Sequence, residues 1–191
     1  TFCSARSGMV FSKKEHAKLL DKGTFPGSLG SIHLHTMAAK AWSFKYAGRE
    51  EFKRIMEQVV KNAKALAKEL ENHGFRIVSG GTDNHLLVVD LRSKGITGKV
   101  FQEALDSIGI TVNKNMIPFD PEKPSVTSGV RIGLTAITQR GLREVEIVKI
   151  ADIMNRIADN PEDDSVLNEC KADAQKLISR FPLYPEGTFR E

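Results

Sequence analysis

One arginine stands between β-branched residues and paired glycines in the stretch Gly129-Val130-Arg131-Ile132-Gly133. The alternation predicts a short strand with Val130 and Ile132 on one face and Arg131 on the other. A guanidinium held on a strand presents a planar fork of donors, which suits a carboxylate or a phosphate. The plainer alternative is an edge arginine in a surface ion pair. A long loop braced by Pro118, Pro121 and Pro124 leads into this strand. Other side chains with chemical potential are less well arranged. Cys3 and Cys170 lie far apart without metal-ligand spacing, and Cys3 reads as a small buried residue. His33 and His35, two residues apart, share no helix face and form no metal pair. His85 reads as a structural histidine rather than a base. No metal site is expected.

Three ordered blocks surround the arginine. The first is Gly80-Gly81-Thr82-Asp83-Asn84-His85, continued by Val89-Asp90-Leu91-Arg92-Ser93-Lys94-Gly95-Ile96-Thr97-Gly98. The second is Thr111-Val112-Asn113-Lys114-Asn115 with Ile117-Pro118-Phe119-Asp120, and the third is Thr127 to Gly133. Together, in this order and spacing, they resemble the small-domain sequence of serine hydroxymethyltransferases, with weaker resemblance over roughly residues 1 to 158. The resemblance implies an enzyme that uses pyridoxal phosphate to move a one-carbon unit between serine and tetrahydrofolate, giving glycine. It implies that Arg131 holds the substrate carboxylate and that Asn115 contacts the pterin ring, although Asn115 also reads as a turn residue. It aligns Lys123, Pro124 and Ser125 with a folate-contacting segment, here without the family's usual serine and phenylalanine. An aromatic residue near the pterin is therefore expected to be missing.

The same resemblance assigns Gly30 and Ser31 to a loop whose backbone amides approach the cofactor phosphate of the neighbouring subunit. Only one of the family's paired glycines is present, and Leu29, Ser31 and Ile32 replace its glutamine, glycine and proline. Those departures point to altered substrate handling or lost activity; a loop leading into a helix, with no ligand, is the alternative. Arg6 matches an arginine near the cofactor lysine and is taken as the catalytic candidate, with a structural ion pair as the other reading. By this register Thr1 is the residue that follows the cofactor lysine. The attachment lysine is then absent from the chain, position 1 reads as a cut, and the isolated chain is expected to be inactive. Its implied partners are the missing N-terminal part of the same enzyme, an amino acid substrate and a second copy in a homodimer. Two alternatives stay open: a folate-independent aldolase or transaldolase for a β-hydroxy amino acid, and a non-catalytic domain that binds a partner or ligand.

Composition bounds these readings. With 191 residues, 40% hydrophobic and 27% charged, the chain is an ordinary globular sequence long enough for one moderate domain plus a remnant of another. A net charge of +4 with scattered lysines gives no basic stripe for nucleic acid. It suits an anionic substrate such as a polyglutamylated folate, or simply a solvated basic surface. No apolar run approaches membrane-spanning length. The cysteine usage suits a reducing cytoplasm.

The elements that must position these residues read as follows. Met9 to Phe11 is a strand end, His16 to Leu20 begins a short helix stopped by Gly23, and His33 to Leu70 is helical with a bend or break at Gly48. Ile55, Val59, Ala63, Leu66 and Leu70 form one apolar stripe. Strands are expected at 75–78, 86–91, 110–113 and 129–134, with a helix over 99–108 burying Val100, Ala104 and Leu105. Thr138 is expected to cap a helix carrying Val145, Val148, Ile150, Met154 and Ile157. A last helix covers 165–178, and Phe181 to Glu191 is a loose tail. The fold class is α/β, and the resemblance implies the C-terminal portion of a fold type I, aminotransferase-like pyridoxal enzyme. Its expected parts are a large-domain remnant at 1-45, a linking helix at 46-73, an α+β small domain with a mostly antiparallel sheet at 74-160, and a helix and tail at 161-191.

Overall fold

The structure is a computed structural model that describes residues 5–184. Thr1, Cys3 and residues 185–191 of the expected tail lie outside the described residues. The chain forms two compact units, Thr1–Lys53 and Arg54–Glu191. No helix among the described residues is long and apolar enough to cross a membrane.

In the N-terminal unit a 3₁₀ turn at Lys14–His16 leads into α1 (Ala17–Lys22). Gly23 does not stop α1, because its backbone stays helical at φ −68, ψ −32. The break comes at Phe25, which is extended at φ −134, ψ 126. Residues 29–33 then run without regular structure into α2 (Leu34–Ala47), which ends at Gly48. The expected strand end at Met9–Phe11 is not a strand. Strand pairing needs a neighbour's N–H and C=O groups, and no described residue supplies them there. Ser43 is the one buried residue among those described in this unit, while Val10, Phe11, Leu19, Phe25, Leu34 and Trp42 are all exposed.

α3 (Glu50–Asn72) begins after the expected break and carries the stripe into the second unit. Val59, Ala63, Leu66 and Leu70 are buried as the spacing predicts. Gly74, at φ 83, lets the chain turn back, and Phe75 N–H closes on Leu70 C=O at 2.9 Å. Four strands follow: β1 (Arg76–Ile77), β2 (Leu86–Asp90), β3 (Asn113–Asn115) and β4 (Gly129–Gly133). They form one antiparallel sheet in the order β1-β2-β4-β3. Leu87, Val89, Val130 and Ile132 face one core shared with α3, α4 (Gly98–Ser107), α6 (Glu144–Asp159) and α7 (Asp164–Ile178).

Several expectations need correction. The third strand is Asn113–Asn115 rather than 110–113, because Gly109 at φ 88 and the buried Val112 belong to the turn out of α4. In α4 it is Phe101, not Val100, that joins Ala104 and Leu105 in the core. Thr138 caps nothing. It lies inside the short α5 (Thr135–Gln139), where its hydroxyl donates to Leu134 C=O at 2.7 Å and accepts from the Asn62 amide at 2.8 Å. Gly141, at φ 102, ends that segment, and α6 starts afresh where Arg143 N–H donates to the Glu146 carboxylate at 3.1 Å. On α6 Val145 and Val148 are exposed, and Ile147, Ala151 and Ile153 take the inward positions. The tail begins less loosely than expected, since Arg140 Nε donates to Phe181 C=O at 2.8 Å.

Candidate active site

β4 lies between β2 and β3, so both of its edges are hydrogen-bonded and Arg131 cannot be an edge residue. Val130 and Ile132 are buried against the helices, and Arg131 is exposed on the opposite face. Its Cα pairs with Val88 on one side and Asn113 on the other. Among the described residues no hydrogen bond or ion pair engages its guanidinium, and the surface ion pair of the plainer reading is absent there. The fork is held from below and open above.

The next row across the same face is Arg76, Asp90, Gly129 and Asn115. The Asp90 side chain is 2% exposed and takes hydrogen bonds from Arg76 and from the Arg92 side chain and backbone. The Arg92 side chain is the main cause that holds Asp90 down to about 2; burial opposes it, and the Arg92 N–H and Arg76 assist. Gly129 leaves a gap in this row, and the gap is filled. A Cβ there would lie 2.7 Å from Ile117 Cγ2 and 2.7 Å from Val89 C=O. The loop from Met116 to Ser128 thus folds over the face that carries Arg131.

Asp120 closes that loop. Its carboxylate accepts from Ile117 N–H (3.1 Å), Glu122 N–H (2.9 Å), Ser128 N–H (2.9 Å) and Ser128 Oγ (2.6 Å). Burial alone would raise this carboxyl, but the four bonds together hold it down to about 2. The returning strand of the loop is fastened as well. Leu91 N–H donates to Ser128 C=O, Gly98 N–H to Thr127 C=O and Lys99 N–H to Val126 C=O, all at 2.8–3.0 Å. Thr127 is buried at φ 60, and its hydroxyl donates to Gly129 C=O at 3.0 Å. Between these fixed points Lys123, Pro124 and Ser125 form an exposed turn, with Lys123 C=O accepting from Val126 N–H and Thr127 N–H. Asn115 is half-buried and spends one amide proton on Met116 C=O at 2.7 Å.

The folding therefore brings Arg131, Asn115 and the loop of Lys123–Ser125 onto one side of one unit. Arg6, Gly30 and Ser31 fall in the N-terminal unit. All three are exposed, and Gly30 and Ser31 lie on the irregular stretch before α2, where a Cβ at Gly30 would meet nothing within 4 Å. Sequence reading missed Asp90, Asp120 and Gly129. The Asp-Pro step at 120–121 after Pro118 was the available signal, because an aspartate there can bond the backbone two residues on. Lys123, Pro124 and Ser125 carry no ring, and Phe119, earlier in the same loop, is fully exposed. A cavity of about 480 Å³, lined by Leu66, Ile132, Ile137, Ile150 and Met154, opens among the helices. Its Ile132 belongs to the core face, so it is separate from the Arg131 face.

Comparison with known proteins agrees with the blocks around Arg131. The family profile described as serine hydroxymethyltransferase matches residues 3–154. A curated serine hydroxymethyltransferase from Myxococcus xanthus (strain DK1622) is 50% identical over 184 residues, which is 96% of this chain. The chain spans 44% of the length of that relative.

Proposed function

The chain belongs to the serine hydroxymethyltransferase family, and we propose that its full-length gene product moves a one-carbon unit between serine and tetrahydrofolate with pyridoxal phosphate as cofactor. The observation that carries this reading is a guanidinium with no partner among the described residues, on the open face of a central strand. Arg131 grips the carboxylate of serine or glycine through two parallel charge-assisted hydrogen bonds. Because β2 and β4 are paired along all of β4, the fork cannot drift, and the grip fixes which bond at the substrate Cα can break. Pyridoxal phosphate, when bound, supplies the electron sink for that bond.

This chain's share of a cofactor site is small but chemically apt. Gly30 and Ser31 offer backbone N–H groups and a hydroxyl on an open stretch, suited to an anionic phosphate. Arg6 adds a positive charge near the attachment lysine of the longer protein. The second substrate contacts Asn115 and the turn at Lys123, Pro124 and Ser125. Residues 74-160 then serve as the small domain of a fold type I enzyme, 46-73 as its linking helix and 161-191 as its closing helix and tail; 1-45 is a remnant of the large domain. The exposed Val10, Phe11, Leu19, Phe25 and Leu34 suit burial against the N-terminal part of the protein and a second copy in a homodimer. A cytoplasmic location and inactivity of the isolated chain go with this reading.

The second reading, a folate-independent aldolase, draws on the Lys123–Ser125 turn, which presents no ring. Serine cleavage dependent on tetrahydrofolate, measured beside threonine cleavage in the full-length gene product, separates the two. Folate-dependent turnover is expected; threonine cleavage alone would favour the aldolase.

A further inference from the structure

Phe119 is 101% exposed, and its backbone sits at φ 56. A bulky L-residue avoids that region because its Cβ crowds the backbone. A solvated ring also forgoes the gain of burial. Both penalties fall on one residue, so its neighbours must hold it there. Asp120 is the next residue, and its carboxylate ties Ile117, Glu122 and Ser128 into one closed turn. Asp120 N–H also donates back to Ile117 C=O at 3.1 Å. Ile117 is buried over Gly129, and Pro118 restricts the chain between them. The turn thus has fixed ends and projects one side chain.

Resting on the hydroxymethyltransferase reading, we infer that Asp120 is a positioning residue that presents the Phe119 ring as the platform for the pteridine of tetrahydrofolate. Phe119 is the one aromatic residue between β3 and β4, where Lys123, Pro124 and Ser125 carry none. A flat heteroaromatic ring packs on an aromatic face with offset geometry. The Asn115 amide stands at the start of the same loop, with its carbonyl oxygen available to ring donors. Residues held against their backbone preference concentrate at ligand clamps. In this assignment the ring serves folate, and serine stays with Arg131 on the strand.

The test uses the full-length gene product with serine and tetrahydrofolate, and threonine cleavage without folate as a second arm. Phe119→Gly removes the ring and suits the positive φ, so Tm is not lowered. It raises the tetrahydrofolate KM at least tenfold, while the serine KM stays within twofold and threonine cleavage is kept. Phe119→Tyr restores the folate KM. Asp120→Asn raises the folate KM with the ring still present, which a ring acting alone would not predict. An unchanged folate KM in Phe119→Gly, or equal rises for serine and folate, overturns the inference. So does a loss of dimer with folate KM unchanged, which assigns the ring to a contact between copies. A wild-type protein that cleaves threonine but transfers nothing to tetrahydrofolate overturns the underlying reading and the inference with it, and this shows before any variant is made.

Discussion

Asn113 lies directly opposite Arg131 in the ladder between β3 and β4, on the face turned away from the helices. Antiparallel partners bring their Cβ atoms to about 5 Å, close enough for long polar side chains to meet a shared ligand. On the other side the Arg131 partner is Val88. A carboxylate bound at the fork would therefore be flanked by an amide on one side and methyl groups on the other.

The fork itself is the first thing to change. Arg131→Lys keeps the charge but loses the planar pair of donors. Each charge-assisted hydrogen bond contributes roughly 1.5–3 kcal/mol, so losing one raises the serine KM by about 10- to 100-fold. Steady-state kinetics of the full-length gene product decide it, and an unaltered serine KM would remove Arg131 from the site.

Acid should find Asp90. Its carboxyl is held at about 2 in the fold against an ordinary value of 3.8. Between those values the unfolded chain binds more protons than the folded one, so stability rises with pH. The contribution is complete above about pH 4 and is lost as pH falls towards 2; it amounts to about 2 kcal/mol at most, because water reaches the paired arginines. Urea unfolding of wild type and Asp90→Asn between pH 2 and 6 should show a steeper acid loss in the wild type. Parallel curves would contradict the linkage.

Gly98 leaves no room for a methyl group. A Cβ there would overlap Thr127 Oγ1 and Gly129 C=O, and one of those is backbone. Gly98→Ala should destabilise by about 1–3 kcal/mol, the usual range for overpacking, and displace the 116–128 loop. Thermal unfolding measures the first effect and amide exchange at Ser128 the second. A variant as stable as the parent would mean the contact yields.

Asn62 is fully buried within the apolar stripe of α3. It accepts from Gln58 and donates to Thr138 Oγ1 and Leu142 C=O, at 2.8–2.9 Å. Asn62→Ala should cost about 2–3 kcal/mol, because Leu142 C=O loses a buried donor. Asn62→Asp should do as badly, since a carboxylate cannot donate to that carbonyl. Denaturant midpoints test both, and a neutral Asn62→Ala would show that water replaces the amide.

What was legible in the sequence was periodic or blockwise. The α3 stripe, the break at Gly48, the alternation around Arg131 and the span of α7 all follow from short-range pattern, which the backbone must obey before any packing. The three motif blocks were equally plain and carried the family. Of the apolar residues carried by α6, Met154 and Ile157 are buried with Ile147 and Ala151 while Val145 and Val148 are exposed, because apolar type alone does not say which face meets a neighbour. Thr138 misled because a hydroxyl that can cap a helix can also bond the turn behind it.

By itself the chain dictated which face of β4 Arg131 would take, since alternation at a buried strand leaves no choice. Tertiary structure decided that β4 is central, that Ile117 covers Gly129, and that Asp120 ties a loop closed around Phe119. Those facts depend on which segments end up side by side, and non-local pairing leaves no trace in residue spacing. Whether a guanidinium stays free or is neutralised depends on neighbours dozens of residues away.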